Sequence, residues 1–392
     1  MTTGGPGGGT GRLSRLRLAL VVGIAFAAIA GAVAPWPTGA GQPVAQSSPF
    51  VWTEVAPAAA PPALFAGMLL VYGNDGLTSA QVHAISAATD GSVTPVYARE
   101  LSIASGSQAF PDIPVLAMTV DAPSYALAAG RPALAAALRQ GAVLSATEAT
   151  LRRARVGSRL SFSDGRHLTV SAVVDDHVLG GLEMAVPGSF HAVRTAQADY
   201  LIVADGGRPA ATARAIRVAL RGVPLRVTSS TANGYFSSAD SVLTQLQIKA
   251  RFGEFAMRRT GGTGMVQDPG WIDRHLVSVR VPQLGRITCN RGLVAALRAA
   301  MTEVTDRGLG STVHTADFQY EGGCWNPNIV PGAVGTVSRH SWGLAVDINV
   351  DTNGFGDPPH QDARLVAIMR RHGFTWGGTW LVPDAMHFEY VG

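Results

Sequence analysis

Acidic residues are missing from the start of this chain: none precedes Glu54. Cysteine is nearly absent, with two in 392 residues, and the two do not form a CxxC pair. That argues against a zinc site built on thiolates. Charge is sparse at 15 %, and the net charge is only +4. The basic surplus is not gathered into runs interleaved with aromatics, so no nucleic-acid partner is expected. A sequence pI near 9.4 suits an anionic cell wall or membrane surface instead.

What the N-terminus does contain is a cationic flank and an apolar run. Arg12, Arg15 and Arg17 precede residues 18–34, a stretch of 17 with no charge. This is the pattern of an export signal, at the short end of a membrane span. A cleaved signal peptide and an uncleaved anchor are the two readings. Pro35 directly after Ala34 disfavours cleavage there, and arginines retained in the cytoplasm suit an anchor. Either way the remainder is expected outside the cytoplasm, membrane-anchored or secreted. Cys289 and Cys324 then sit in an oxidising compartment, where an even count implies a disulfide. Closing a loop of that length stabilises by roughly 3–4 kcal/mol in the chain-entropy model.

Composition divides the rest. Residues 35–63 are rich in Pro, Ala, Gly and Ser and read as a semi-extended linker. Residues 64–229 read as a small α/β domain. Strands are expected at 67–72, 115–120, 201–204 and 225–227, and helices at 131–140, 147–155 and 210–220. A hairpin is expected at 159–162 and 167–174 around Asp164-Gly165. His167, His177 and His191 in this domain lack metal-like spacing. A linker at 230–240 leads into a C-terminal domain, 241–392. There, helices are expected at 241–255, 291–306 and 362–372, and strands at 344–349 and 386–390. The oxygen-rich loop 351–357 lacks the closing Glu of a calcium loop and reads as a turn.

Chemistry concentrates at the C-terminus. Ser338-Arg339-His340-Ser341-Trp342-Gly343-Leu344-Ala345-Val346-Asp347 is followed by Asp384-Ala385-Met386-His387. His340, Asp347 and His387 are a suitable donor set for a catalytic zinc ion, which takes three protein ligands and leaves a position for water. Asp384, three residues before the last ligand, is placed to act as general base. Glu389, two residues beyond His387 on the same strand face, reads either as a group that orients that ligand or as a solvated residue at the end of the strand. Trp342, Trp376 and Trp380 are expected to wall the pocket.

This pattern resembles the zinc D-alanyl-D-alanine carboxypeptidases, with the related D-Ala-D-Ala dipeptidases and L-alanyl-D-glutamate endolysin peptidases. The likeness runs from about 241 to 392 and takes in Lys249-Ala250-Arg251-Phe252-Gly253-Glu254-Phe255, Gly323-Cys324-Trp325 and Phe374-Thr375-Trp376-Gly377-Gly378. It implies an α+β fold with a small antiparallel sheet. It further implies zinc on His340, Asp347 and His387, a base at Asp384, and peptidoglycan stem peptides as substrate. Ser338 would bind a substrate carboxylate. Many relatives carry an Arg in a Cys-aromatic-x-Pro-Arg run; here the run is Cys324-Trp325-Asn326-Pro327-Asn328. Asn328, or Arg339 in its stead, would have to polarise the scissile carbonyl. If neither does, the protein is a peptidoglycan-binding or envelope-interaction protein that retains the fold without cleaving. In the preceding domain, 141–145 and 156–160 resemble the extracytoplasmic domain of macrolide-exporter-type permeases, which implies docking to an envelope protein.

Overall fold

The computed structural model describes residues 67–73, 75–190, 197–229, 243–314, 323–330 and 336–392. The export signal, the linkers at 35–63 and 230–240, and His191 lie outside them. Among the described residues, no helix is long and apolar enough to cross a membrane. All of them belong to the part of the chain from Pro57 to Gly392, which forms one compact unit.

The main sheet has the strand order Leu225–Ser229, Met68–Gly73, Tyr200–Ala204, Val93–Ala104, Asp112–Val120, Met184–Ala185, Ala142–Ser145, His167–Val174, Arg159–Ser161. Pairing is antiparallel except where Asp112–Val120 meets Met184–Ala185 and where Ala142–Ser145 meets His167–Val174. The expected hairpin is present, with Ser161 opposite His167. The longest strand, Val93–Ala104, was not legible as one, because Arg99 and Glu100 interrupt its apolar residues. Both find distant partners: Arg99 lies 3.2 Å from Asp199, and Glu100 pairs with Arg259.

Several helices are shorter than their patterns, though the one expected at 210–220 is Pro209–Ala219. The one expected at 131–140 is Leu134–Gln140, preceded by Ala122–Ala128. The one expected at 147–155 is Ala146–Arg152, because Arg153 adopts a left-handed φ of 50°. In the C-terminal half, Gln245–Phe252 replaces the longer helix expected at 241–255. Thr244 closes a capping box with Gln247 at its start, and Gly253 at φ 85° ends it.

The C-terminal half builds a three-stranded antiparallel sheet in the order Ala345–Asp347, His387–Tyr390, Phe374–Trp376. Helices Val294–Asp306 and Ala363–Arg371 pack behind it, and Leu297, Met301, Leu365 and Met369 join one core with Val346 and Phe388. That core draws only on residues from Ile248 onward, whereas the upstream cores draw on residues up to Leu220. The halves nonetheless join. Hairpin Met257–Gly261 and Gly264–Gln267 extends the main sheet, with Met257 opposite Asp112. Beside that junction the contact is charged: Glu148, Arg152 and Glu183 from upstream face Lys249 and Glu254.

Candidate metal centre

The first histidine sits on a tight turn. Ser338 caps the 3-10 helix Arg339–Trp342, its hydroxyl accepting from the His340 amide at 3.3 Å. Gly343 ends the turn at φ 66°, and a Cβ there would lie 2.8 Å from the Asn290 amide nitrogen. Only glycine suits both the backbone and the space. The chain then enters Ala345–Asp347, where strand register puts Asp347 directly opposite His387. Two residues forty positions apart thus become cross-strand neighbours.

The three side chains converge. His387 Nδ1 lies 2.9 Å from Asp347 Oδ1, and His340 Nε2 lies 3.2 Å from both. One ligand atom from each falls within 4.8 Å of the others, and all three residues are buried. The opposite ring nitrogens have their own partners. His340 Nδ1 faces the carbonyls of Gly323 and Cys324 at 3.1 and 3.2 Å. His387 Nε2 faces Glu389 Oε1 at 3.4 Å. An N–H donated to those acceptors leaves the converging nitrogens as lone-pair donors, as metal ligands require. Cys324 is held in place by its disulfide to Cys289, so the bridge steadies a carbonyl that orients a ligand.

Electrostatics agree with that convergence. Burial alone would raise Asp347, but His340 and His387 outweigh it and hold the carboxyl well below its usual range. Burial alone would lower His387, yet hydrogen bonds to Asp347 and Glu389 raise it well above the usual imidazole value. The carboxylates of Asp347, Asp384 and Glu389 thus place negative charge about His387. Two imidazoles and a carboxylate, buried and preset in tautomer, fit a zinc ion.

Asp384 stands on the loop between Phe374–Trp376 and His387–Tyr390. Its backbone makes the turn: its N–H donates to Gly377 O at 3.0 Å, and its carbonyl accepts from His387 N at 3.1 Å. The side chain is not spent on capping, and its buried Oδ1 has no hydrogen-bond partner among the described residues. Burial lifts its pKa, reinforced by Asp347 and Glu389 and opposed by His387 and His340. A Cβ on Gly377 would lie 2.4 Å from the Asp384 carbonyl oxygen, so glycine permits the close approach.

Other expected site residues fall elsewhere. Arg339 is 5 % exposed; its guanidinium donates to Leu243 O at 2.7 Å and lies 3.7 Å from Glu389. It supports the centre from behind and is not presented to a substrate. The Asn328 amide donates to Asn326 O, while its backbone is bonded to Ser338 and Ser341. Trp342 is a core residue, fully buried and tilted against Phe255 with ring centroids 4.9 Å apart. Trp376 donates to Ala385 O. Only Trp380 flanks a ligand, its ring 5.4 Å from that of His387. Sequence reasoning missed the carbonyls of Gly323 and Cys324, because backbone groups carry no residue signature. It also missed Gln267, whose amide donates to Ser341 O at 2.7 Å and accepts from Trp325 Nε1 at 2.8 Å.

Residues 332–390 match the family model described as D-alanyl-D-alanine carboxypeptidase, the family whose motif the C-terminal segment resembles. Among solved structures, the periplasmic region of MacB from Actinobacillus actinomycetemcomitans is similar at 13 % identity. That match covers 43 % of this chain and 91 % of the other, with a TM-score of 0.32, a likeness too slight to bear on fold or function.

Proposed function

We propose that this protein is a zinc peptidase that hydrolyses peptidoglycan stem peptides outside the cytoplasmic membrane. The observation that carries the reading is the convergence of His340, Asp347 and His387 beside an unpartnered Asp384 oxygen. Zinc held there would polarise a scissile carbonyl and lower the pKa of a bound water toward neutrality. His340 and His387 would hold the ion through Nε2 and Nδ1, and Asp347 would supply the one anionic ligand. Asp384 accepts the proton of the attacking water and passes it to the leaving amine, a role helped by its raised pKa. Trp380 walls one side of the centre and restricts water. The disulfide between Cys289 and Cys324 supports an oxidising, extracytoplasmic location reached through the signal or anchor at 1–34.

Digestion of purified peptidoglycan by the full chain, with zinc and with chelator, tests this reading. Zinc-dependent release of stem-peptide fragments is the expected result, and the masses identify the bond cut. Asn328 favours a second reading, a non-cleaving peptidoglycan-binding protein, since it brings no charge to the place where relatives carry Arg. Zinc-dependent binding to peptidoglycan with no fragments released would establish that reading in place of hydrolysis.

A further inference from the structure

The chain has a single lysine, and it is not on the surface. Lys249 is 2 % exposed, on helix Gln245–Phe252 where the C-terminal half meets the upstream half. Its ammonium lies 2.5 Å from Glu183 and 3.3 Å from Glu254, and donates to the carbonyl of Pro114. Pro114 and Glu183 belong to the upstream half, next to one another across the main sheet, and Glu183 also accepts the amide N–H of Leu116. Gln245, one turn before Lys249, donates from Nε2 to Glu183 Oε2 at 3.2 Å.

The same segment grips the metal centre with its other side. Gln245 Oε1 accepts from the Val337 amide at 3.4 Å, and Leu243 O accepts from Arg339 Nη2 at 2.7 Å. Val337 and Arg339 belong to the turn that presents His340. Arg339 continues to Glu389 at 3.7 Å, and Glu389 to His387 at 3.4 Å. Residues 243–249 therefore form a bracket, with one jaw on Pro114 and Glu183 and the other on the turn bearing the first ligand. The contacts on both jaws are polar, and those made by Gln245 and Lys249 are buried. Separating the halves would break the Lys249 pair with Glu183 and its bond to Pro114 together with those of Gln245, so the joint opens as a unit and not by degrees.

We infer that this bracket makes metal binding depend on the docked upstream half, with Gln245 and Lys249 as positioning residues. They act through Val337 and Arg339 on His340, and through Glu389 on His387. The inference rests on the metal reading above. Coupling of this kind is reciprocal: docking that favours the metal requires that the metal favour docking by the same factor.

Two measurements on the full chain test it. The first is zinc affinity by chelator competition for wild type, Gln245→Met, Glu183→Gln and the double variant. Gln245→Met retains the side-chain volume and removes the hydrogen bonds to Pro114, Glu183 and Val337. Loss of an outer partner of a metal ligand weakens binding by 10–100-fold, and about tenfold is expected for each single variant here. The double variant is expected to be no weaker than the weaker single one, because the two residues lie on one path. The second uses wild type alone, so it stands even where a variant fails to fold. Acylation of Lys249, the only ε-amine in the chain, is followed by mass spectrometry of its peptide with zinc and with chelator. Zinc is expected to slow the labelling several-fold. Wild-type zinc binding that Gln245→Met leaves unchanged, or labelling of Lys249 indifferent to zinc, would overturn the bracket while sparing the metal reading. A wild type that binds no zinc would overturn both.

Discussion

Asp384 and the three ligands differ in what each can lose. Asp384 has no part in the ligand triangle and its turn is held by backbone, so Asp384→Ala should fold and retain zinc. Turnover should still fall by about 10²–10⁴, the usual worth of a positioned base. Removing a ligand differs: His387→Ala should lose metal and activity together, which elemental analysis and a stem-peptide assay separate. Glu389 is the intermediate case. Glu389→Gln should weaken zinc binding by about 10–100-fold through a misoriented His387, with the fold retained. A competition titration reads it, and unchanged affinity would return Glu389 to a purely structural part. These residues were visible in the sequence because metal chemistry restricts the choice to a few side-chain types at close spacing. Arg339 was misread for a related reason: its type announced charge, but only burial against Leu243 and Glu389 showed where the charge is used.

At the scale of elements, the centre depends on a turn and a register. Gly343→Ala would place a Cβ 2.8 Å from the Asn290 nitrogen and 3.0 Å from Leu276 Cδ2, at a φ of 66°. The left-handed conformation alone costs an alanine about 1–2 kcal/mol, and the contacts add to it. Urea unfolding of the variant should show at least that loss, together with weaker zinc binding as the turn bearing His340 shifts. A variant as stable as wild type would mean that the neighbouring hairpin, Leu276–Val281 with Gly285–Asn290, yields easily. Period-two patterning located the strands of Asp347 and His387, and helical spacing located the helices behind them. The strand Val93–Ala104 escaped because its polar residues are satisfied by partners a hundred or more positions away. No local pattern encodes such a pairing.

The charged seam governs the molecule as a whole. Three carboxylates, Glu148, Glu183 and Glu254, face two cations, Arg152 and Lys249. Below about pH 7 a proton on Glu148 balances them. Burial pushes Glu148 up to about 7, raised also by Glu183 and Glu254 and opposed by Lys249 and Arg152. Its ordinary value is 4.5, so between the two the folded protein holds a proton that the unfolded chain has released. This contribution to stability is complete below about 4.5 and is lost as pH rises through about 7. Its slope reaches about 1.4 kcal/mol per pH unit, from one proton's difference. Glu148→Gln should remove that slope, and denaturant midpoints across the window will show whether it does. Burial would lower Lys249, but Glu183, Glu254 and Glu148 outweigh it, so the ammonium stays charged throughout.

The sequence alone determined which three residues could hold a metal ion and that the two cysteines can pair, because these depend on residue chemistry and short spacing. The same holds for most of the helices and for some of the strands, whose periodicity is local. Tertiary structure alone decided that Arg339 faces inward, that Trp380 and not Trp342 flanks a ligand, and that Lys249 lies in the seam between the halves. Each of those outcomes depends on burial and on partners far away in the chain. An isolated motif carries no information about either.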